Sequence, residues 1–194
     1  MLVADSGWIM PHYNLGAMKI TLERATDATR PIIHHFFLQF FYALAEFDPY
    51  IYINDFGLPI YQPDGPPAPG SGPRTFDEAV QMNFWMRDQC EQYIIRADGR
   101  PAGYVMVAAG MAHLPEGAQY EILDFYIAPP YRRKGAGSRA AKLAFNLHHG
   151  AWIVYELQRN EPAKAFWRRV IGAYTRGNFA ESGTDYDVSQ RFEN

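Results

Sequence analysis

Apolar and polar positions alternate in short runs that change period along the chain. In residues 19–24, Ile20 and Leu22 alternate with polar neighbours, the two-residue period of a half-buried strand. Thr26, Asp27, Ala28 and Thr29 supply helix-start residues, and Pro31 is tolerated in a first turn. Across residues 32–47 the apolar side chains cover nearly the whole helical cylinder, which predicts a largely buried helix. A second helix is expected to start at Thr75-Phe76-Asp77-Glu78 and run to about Gln89. Strands at 92–97 and 102–109 flank the hairpin pair Asp98-Gly99, and a third, at 119–127, stops before Pro129-Pro130. A helix at 138–149, a strand at 152–157 and a helix at 161–171 follow. Residues 174–192 then read as a last pair of strands turned at Glu181-Ser182-Gly183. An antiparallel meander feeding a strand–helix–strand crossover predicts an α/β (α+β) fold: a mixed, mostly antiparallel central sheet with helices on both faces.

Residues 48–74 break this rhythm with proline and glycine, ending in the run 65–73. A loop of this length in a compact domain is either a binding lid or a disordered segment. Tyr50, Ile51, Tyr52, Ile53, Ile60 and Tyr61 argue that its first half packs on something. Residues 1–17 lack both a basic start and a long apolar stretch, so they read as an N-terminal extension, not a signal peptide. Residues 18–194 are then expected to form a single domain.

Composition narrows the function classes. The net charge of −3 gives no global pull toward nucleic acid, and no apolar run approaches the roughly 20 residues that span a membrane. A single cysteine, Cys90, excludes an internal disulfide and suits a cytoplasmic protein. The pairs His34-His35 and His148-His149 diverge by about 100° on a helix, so no metal site is expected from them.

The candidate chemistry concentrates between the third strand and the following helix. Arg132-Arg133-Lys134-Gly135-Ala136-Gly137 turns the chain there, and residues 125–155 hold no acidic side chain, while Arg139 and Lys142 add positive charge. Closely spaced glycines allow a sharp turn and a near approach of backbone to ligand. The amides of a fresh helix N-terminus then make an anion site, here read as a nucleotide-type phosphate cradle. The run is neither the Gly-x-Gly-x-x-Gly fingerprint nor a Gly-Lys-Ser/Thr loop.

Ile127-Ala128-Pro129-Pro130-Tyr131 followed by Arg132-x-x-Gly135-x-Gly137 resembles the acyl-CoA-binding motif of the GNAT superfamily of N-acetyltransferases. Residues 160–167, Asn-Glu-Pro-Ala-Lys-Ala-Phe-Trp, with Ile171-Gly172-Ala173-Tyr174, resemble that family's second block, Asn-x-x-Ala-x-x-Phe-Tyr-x-x-x-Gly-Phe. The resemblance implies an acyl-CoA-dependent N-acyltransferase. Such an enzyme passes acetyl from acetyl-CoA to the amine of a small or cationic acceptor, by direct attack in a ternary complex and without a metal. It leaves a homodimer open. Carried over, it places the pyrophosphate on the amides of Arg133, Lys134, Gly135, Ala136, Gly137 and Ser138, beside Arg132. It places the pantetheine along the backbone of Phe125, Tyr126 and Ile127, which also polarises the thioester carbonyl. Asn160 caps its helix or bonds the pantetheine arm, and Phe166 packs beside the donor. The rival reading is a non-catalytic acyl-CoA-binding domain derived from the same fold.

Acyl transfer to a lysine-like amine of pKa about 10.4 requires its deprotonation, a cost of roughly 4–5 kcal/mol at pH 7. Glu121 and Asp124 are the candidate bases. Glu121 stands where the histone-acetylating branch of the resembled family carries its catalytic glutamate. Strict alternation puts the two carboxylates on opposite faces, and a bulge would break that parity. Trp167 occupies the position where many relatives carry a proton-donating tyrosine, and an indole cannot serve. Tyr174, Tyr155 or water is left for that role. Residues 31–73 contain no Lys or Arg but hold Glu46, Asp48, Asp55 and Asp64 with Tyr50, Tyr52 and Tyr61, a composition that favours a cationic acceptor.

Overall fold

The computed structural model describes residues 18–84 and 87–194, so the proposed extension at 1–17 lies outside the described residues. The meander appears as expected. Strand β1 (Ile20–Arg24) leads into helix α1 (Arg30–Leu44), with Pro31 in its first turn. After a small hairpin, β2 (Ile51–Ile53) with β3 (Pro59–Tyr61), comes helix α2 (Phe76–Phe84). The helix expected to reach Gln89 has become a 3-10 turn by Arg87–Gln89, and the positions between lie outside the described residues. Strands β4 (Glu91–Ala97), β5 (Arg100–Ala109) and β6 (Tyr120–Ile127) follow, then α3 (Ala136–Phe145), β7 (Ala151–Leu157) and α4 (Glu161–Thr175). Strands β8 (Ala180–Gly183) and β9 (Asp187–Glu193) close the fold.

Seven strands form one sheet in the order β1-β4-β5-β6-β7-β9-β8, antiparallel at every step except β6–β7. That one parallel step follows from the α3 crossover between the two strands. Alternation along the central strands sends Ile95, Val105 and Val107 to the face covered by α3 and α4, where Phe145, Trp152 and Trp167 pack. It sends Ile94, Tyr104 and Met106 to the opposite face, beneath Ile33, Phe37 and Phe41 of α1. At Gly103 the backbone of β6 comes so near that a Cβ would lie 1.9 Å from the Tyr126 carbonyl oxygen.

A bulge in β6 sets the positions of the two candidate bases. Met106 pairs with Asp124 and Val107 with Ile122, which leaves Leu123 as the extra residue. Glu121, opposite Ala108, and Asp124, opposite Met106, therefore share the face turned toward α1.

Two expectations change. The proline-rich segment 48–74 carries the β2–β3 hairpin, and two buried asparagines pin it. Asn54 donates to the Pro73 carbonyl at 2.7 Å and accepts from the amides of Phe56 and Leu58. Asn83 donates to Pro59 and accepts from the Tyr61 amide. The C-terminal turn also moves: Glu181-Ser182-Gly183 belongs to β8, and the chain reverses at 184–186. Thr184 makes that turn, its hydroxyl accepting from the amides of Tyr186 and Asp187.

Candidate active site

Strands β6 and β7 pair only from Tyr120 to Ile122 against Trp152 to Val154. Beyond that point they part, and a cleft of about 580 Å³ opens between them. Its lining includes Phe125 of β6, Glu156 of β7, Trp167 of α4 and Asn160 just before that helix. Asp48, Tyr61, Arg87 and Tyr186 also line it.

The glycine turn stands at the head of α3. Arg133 and Gly135 both take left-handed backbone, at φ 58° and 78°, and Gly135 caps α3 without a side-chain bond. Such a twisted turn directs successive amides into one concavity. The first-turn amides of Ala136, Gly137 and Ser138 add to it. Of the two glycines expected to let the chain turn sharply, Gly135 alone takes positive φ, and Gly137 has ordinary helical backbone. What it supplies is space, since a Cβ there would lie 3.1 Å from Phe166. Of the basic side chains, Arg132 turns back, donating to the Ile127 carbonyl at 2.6 Å and covering the Tyr126 ring. Lys134 donates to Pro130 and Arg139 to Lys134 and Gly135, so these two brace the turn itself. Arg133 is exposed beside it. Phe125 stacks on Phe166 at 5.8 Å and meets Trp167 edge-on. Tyr126 lies on the opposite face, its hydroxyl donating to Gln39. Asn160 caps α4, accepting from the Ala163 amide, while also lining the cleft.

The two carboxylates on β6 have different surroundings. Asp124 is held by two bonds from Arg87 and one from the Tyr104 hydroxyl, with its side chain 3% exposed. Arg87 also donates to the Asn83 carbonyl and lies over the Phe37 ring at 4.8 Å. Glu121 stands behind Asp124 and is not part of the lining. Its one side-chain partner among the described bonds is the Nε2 of His113, 3.0 Å away on the half-exposed loop before β6. Burial lifts the Glu121 carboxyl above the ordinary range, the His113 bond and charge draw it back, and Asp124 lifts it further.

Tyr174 lies outside the cleft, and in a helix instead of the strand expected for it. It ends α4, donating to Asn146 at 2.7 Å and accepting from Asn194 at 3.0 Å, packed on Phe145 and Phe192. Helix α4 runs to Thr175, farther than its apolar pattern announced. Tyr155 does line the cleft and is partly exposed.

Elsewhere in the lining Asp48 is buried, and its oxygens accept from the Tyr50 amide at 2.9 Å and the Tyr186 hydroxyl at 3.0 Å. Both partners are neutral. The rings of Tyr50, Tyr61 and Tyr186 gather around it at 5.6 to 6.2 Å between centroids. Asp55, by contrast, holds the Gly70 amide on the outer side of the hairpin segment.

Sequence reasoning passed over Arg87, Tyr186 and Glu156. Glu156 is 5% exposed, lines the cleft, and neither carboxyl oxygen has a hydrogen-bond partner among the described residues. The available signal was its parity: Glu156 continues the inward series of Trp152 and Val154 on β7, where apolar residues belong.

The chain resembles known acetyltransferases in both sequence and shape. Residues 58–173 match the model of the acetyltransferase (GNAT) family. None of the curated proteins matches. An acetyltransferase from Thermus thermophilus superposes with a TM-score of 0.58 at 17% identity, covering 92% of this chain and 99% of that one. A Corynebacterium glutamicum structure described as histone acetyltransferase HPA2 and related acetyltransferase gives 0.56 at 16%, covering 90% and 96%. A Vibrio cholerae spermidine N-acetyltransferase chimera gives 0.51 at 14%, covering 90% and 95%. At these identities the superpositions speak for the fold alone. With more than half of its length inside the family model, and that model's fold around a parted β6–β7 pair, the chain belongs to the GNAT family of acetyltransferases.

Proposed function

We propose that the protein is an acetyl-CoA-dependent N-acetyltransferase acting on a small cationic amine. One observation carries the acceptor class: Asp48, a buried carboxylate on the cleft, bonds among the described residues only to neutral groups and sits among three tyrosine rings. A buried carboxylate without a counter-charge favours a cation, and aromatic faces add to that attraction. A spermidine N-acetyltransferase chimera among the fold neighbours is in keeping with this class.

The donor fits the other end. Its pyrophosphate would rest on the amides from Arg133 to Ser138, and its pantetheine would lie along the parted edge of β6 against Phe125 and Asn160. The amine nitrogen attacks the thioester carbonyl carbon, the carbon–sulfur bond breaks, and its electron pair leaves on sulfur. Glu121, standing behind the lining, receives the ammonium proton through a bridging water. His113 carries that proton toward solvent. Asp124, with its oxygens committed to Arg87 and Tyr104, holds the cleft wall and takes no proton. Trp167 supports a second reading, a domain that binds acyl-CoA without turnover, since its buried indole cannot protonate a thiolate.

Two results test the two ends separately. Asp48→Asn should raise KM for a diamine acceptor and flatten its dependence on salt, with KM for acetyl-CoA unchanged. Equal acceptor kinetics across an ionic-strength series would remove Asp48 from recognition. Gly137→Val should weaken acetyl-CoA binding more than about tenfold, because the added branch displaces Phe166 beside the cradle. Calorimetry returning parental affinity for the folded variant would place the donor elsewhere.

A further inference from the structure

Glu156 is a buried acid to which the chemistry so far gives no part. It sits at 5% exposure with both oxygens unpartnered, on the face of β7 that α4 covers. The cations nearest it in electrostatic terms are both engaged elsewhere. Arg168 makes a two-bond pair with Glu181 at 2.7 Å, and Gln190 adds a third bond to the same carboxylate. Lys164 is paired with Glu161 at 2.6 Å and donates weakly to Gln158. An ionised carboxylate in this position would be buried and without a bond, which is costly. Burial, followed by the Glu181 charge, pushes its pKa up to about 8 against the pull of Arg168 and Lys164, so the group is a neutral acid at pH 7. A neutral carboxyl needs an acceptor for its own O–H, and none is present on the protein side among the described residues. Glu156 lines the cleft together with Trp167 and Asn160, its two oxygens covered in the resting side-chain position, so donation into the cleft takes a turn of the side chain.

The geometry points to Glu156 as the proton donor to the departing coenzyme A thiolate, in the role that Trp167 cannot fill; this rests on the acetyltransferase reading. As the carbon–sulfur bond breaks, the carboxyl O–H proton of Glu156 moves to sulfur, leaving a carboxylate. The nitrogen gives up two protons, one before attack and one as the amide forms, and both leave separately through Glu121 to solvent, while Glu156 regains its own proton from solvent before the next turnover. Amine and thioester become amide and thiol, with no other reactant. The match is chemical as well as spatial. A cysteine thiol titrates near pH 8.5 and a plain alkyl thiol higher, so an acid whose pKa is raised toward that range transfers its proton to the thiolate downhill or nearly level. Tyr155 also lines the cleft but has the opposite parity on β7, so it projects to the other face of the strand.

The test uses the full chain with Glu156→Gln, Glu156→Asp and Tyr155→Phe. Glu156→Gln removes an unpaired acid, so it should fold and resist heat better than the parent at pH 8.5. Glu156 keeps its proton in the fold up to about 8 and loses it near 4.5 when unfolded, so parental stability falls as pH rises between those values. The advantage of the variant should therefore vanish below pH 4.5. The first readout needs no turnover: free coenzyme A is bound and its thiolate absorbance is followed against pH. In the parent the thiol shares protons with Glu156 and titrates about one unit higher than in Glu156→Gln. In turnover, Glu156→Gln should lower kcat about 10²-fold with KM for acetyl-CoA unchanged, and Glu156→Asp should fall between. Tyr155→Phe should match the parent. Identical thiol titrations in parent and Glu156→Gln would overturn the assignment, as would parental kcat in that variant or a collapse confined to Tyr155→Phe. A parent that binds coenzyme A but acetylates no amine overturns the acetyltransferase reading, while the thiol titration still decides Glu156.

Discussion

Glu121→Gln should lower turnover by about 10²–10⁴-fold at neutral pH and leave acetyl-CoA affinity near parental. The expectation rests on the contrast between two carboxylates that share one face of β6. Asp124 is saturated by Arg87 and Tyr104, whereas Glu121 keeps one partner, His113, and a carboxyl lifted by burial. A base must be ionised to act, so the acid limb of kcat/KM should fall above the ordinary carboxylate range. His113→Ala should move that limb to still higher pH, because His113 is the group that draws the Glu121 pKa down. Activity of Glu121→Gln should partly recover near pH 10, where the free amine no longer needs a base. Normal turnover in Glu121→Gln at pH 7, with Asp124→Asn inactive, would transfer the proton chemistry to Asp124.

The second large effect concerns folding. Arg87→Met leaves Asp124, whose side chain is 3% exposed in the parent, with the Tyr104 hydroxyl as its remaining side-chain partner among the described residues. Removing one partner of a buried pair costs about 3–5 kcal/mol. In a chain of this size that should lower Tm by roughly 10 °C or more. Arg87→Met combined with Asp124→Leu should recover most of the loss, since two apolar groups leave no stranded charge. A melting curve for Arg87→Met that overlays the parent would show that the pair is worth little. A double variant no better than the single would show that Arg87 matters chiefly through its packing on Phe37.

These two predictions also mark where the sequence stops being readable. Strands β1 and β4 to β7, the existence of the helices and the Arg132–Gly137 turn depend on local periodicity and on glycine at fixed offsets; those strands stood in the sequence nearly at their observed bounds, while the helix ends did not. The cap made by Asn160 is equally local. The shared face of Glu121 and Asp124 depends on Leu123 bulging against Met106 and Val107, a register property of two strands together. Arg87 reaches Asp124 across 37 positions, so no spacing announces it. The hairpin within residues 48–74 depends on Asn54 and Asn83, whose partners are backbone groups up to 24 positions away. Tyr174 departs from its expected strand because α4 outruns its apolar stripe by a full turn, which puts the hydroxyl against Asn146 and Asn194. Glu156 looks in the sequence like one polar residue in a strand. Only the prior commitment of Arg168 to Glu181, and of Lys164 to Glu161, shows that it has no partner among the described residues.

If one cleft holds acetyl-CoA and a cationic amine and joins them, thiol and amide must appear together. The direct measurement is to incubate the full chain with acetyl-CoA and spermidine at neutral pH and count free thiol against N-acetylated product by mass spectrometry. One thiol should be released for each amine acetylated, with saturation in both substrates and no thiol release when the amine is omitted. Acetyl-CoA that binds yet yields no acetylated spermidine or simple diamine, with thiol release no faster than spontaneous hydrolysis, would contradict this joining of the two substrates.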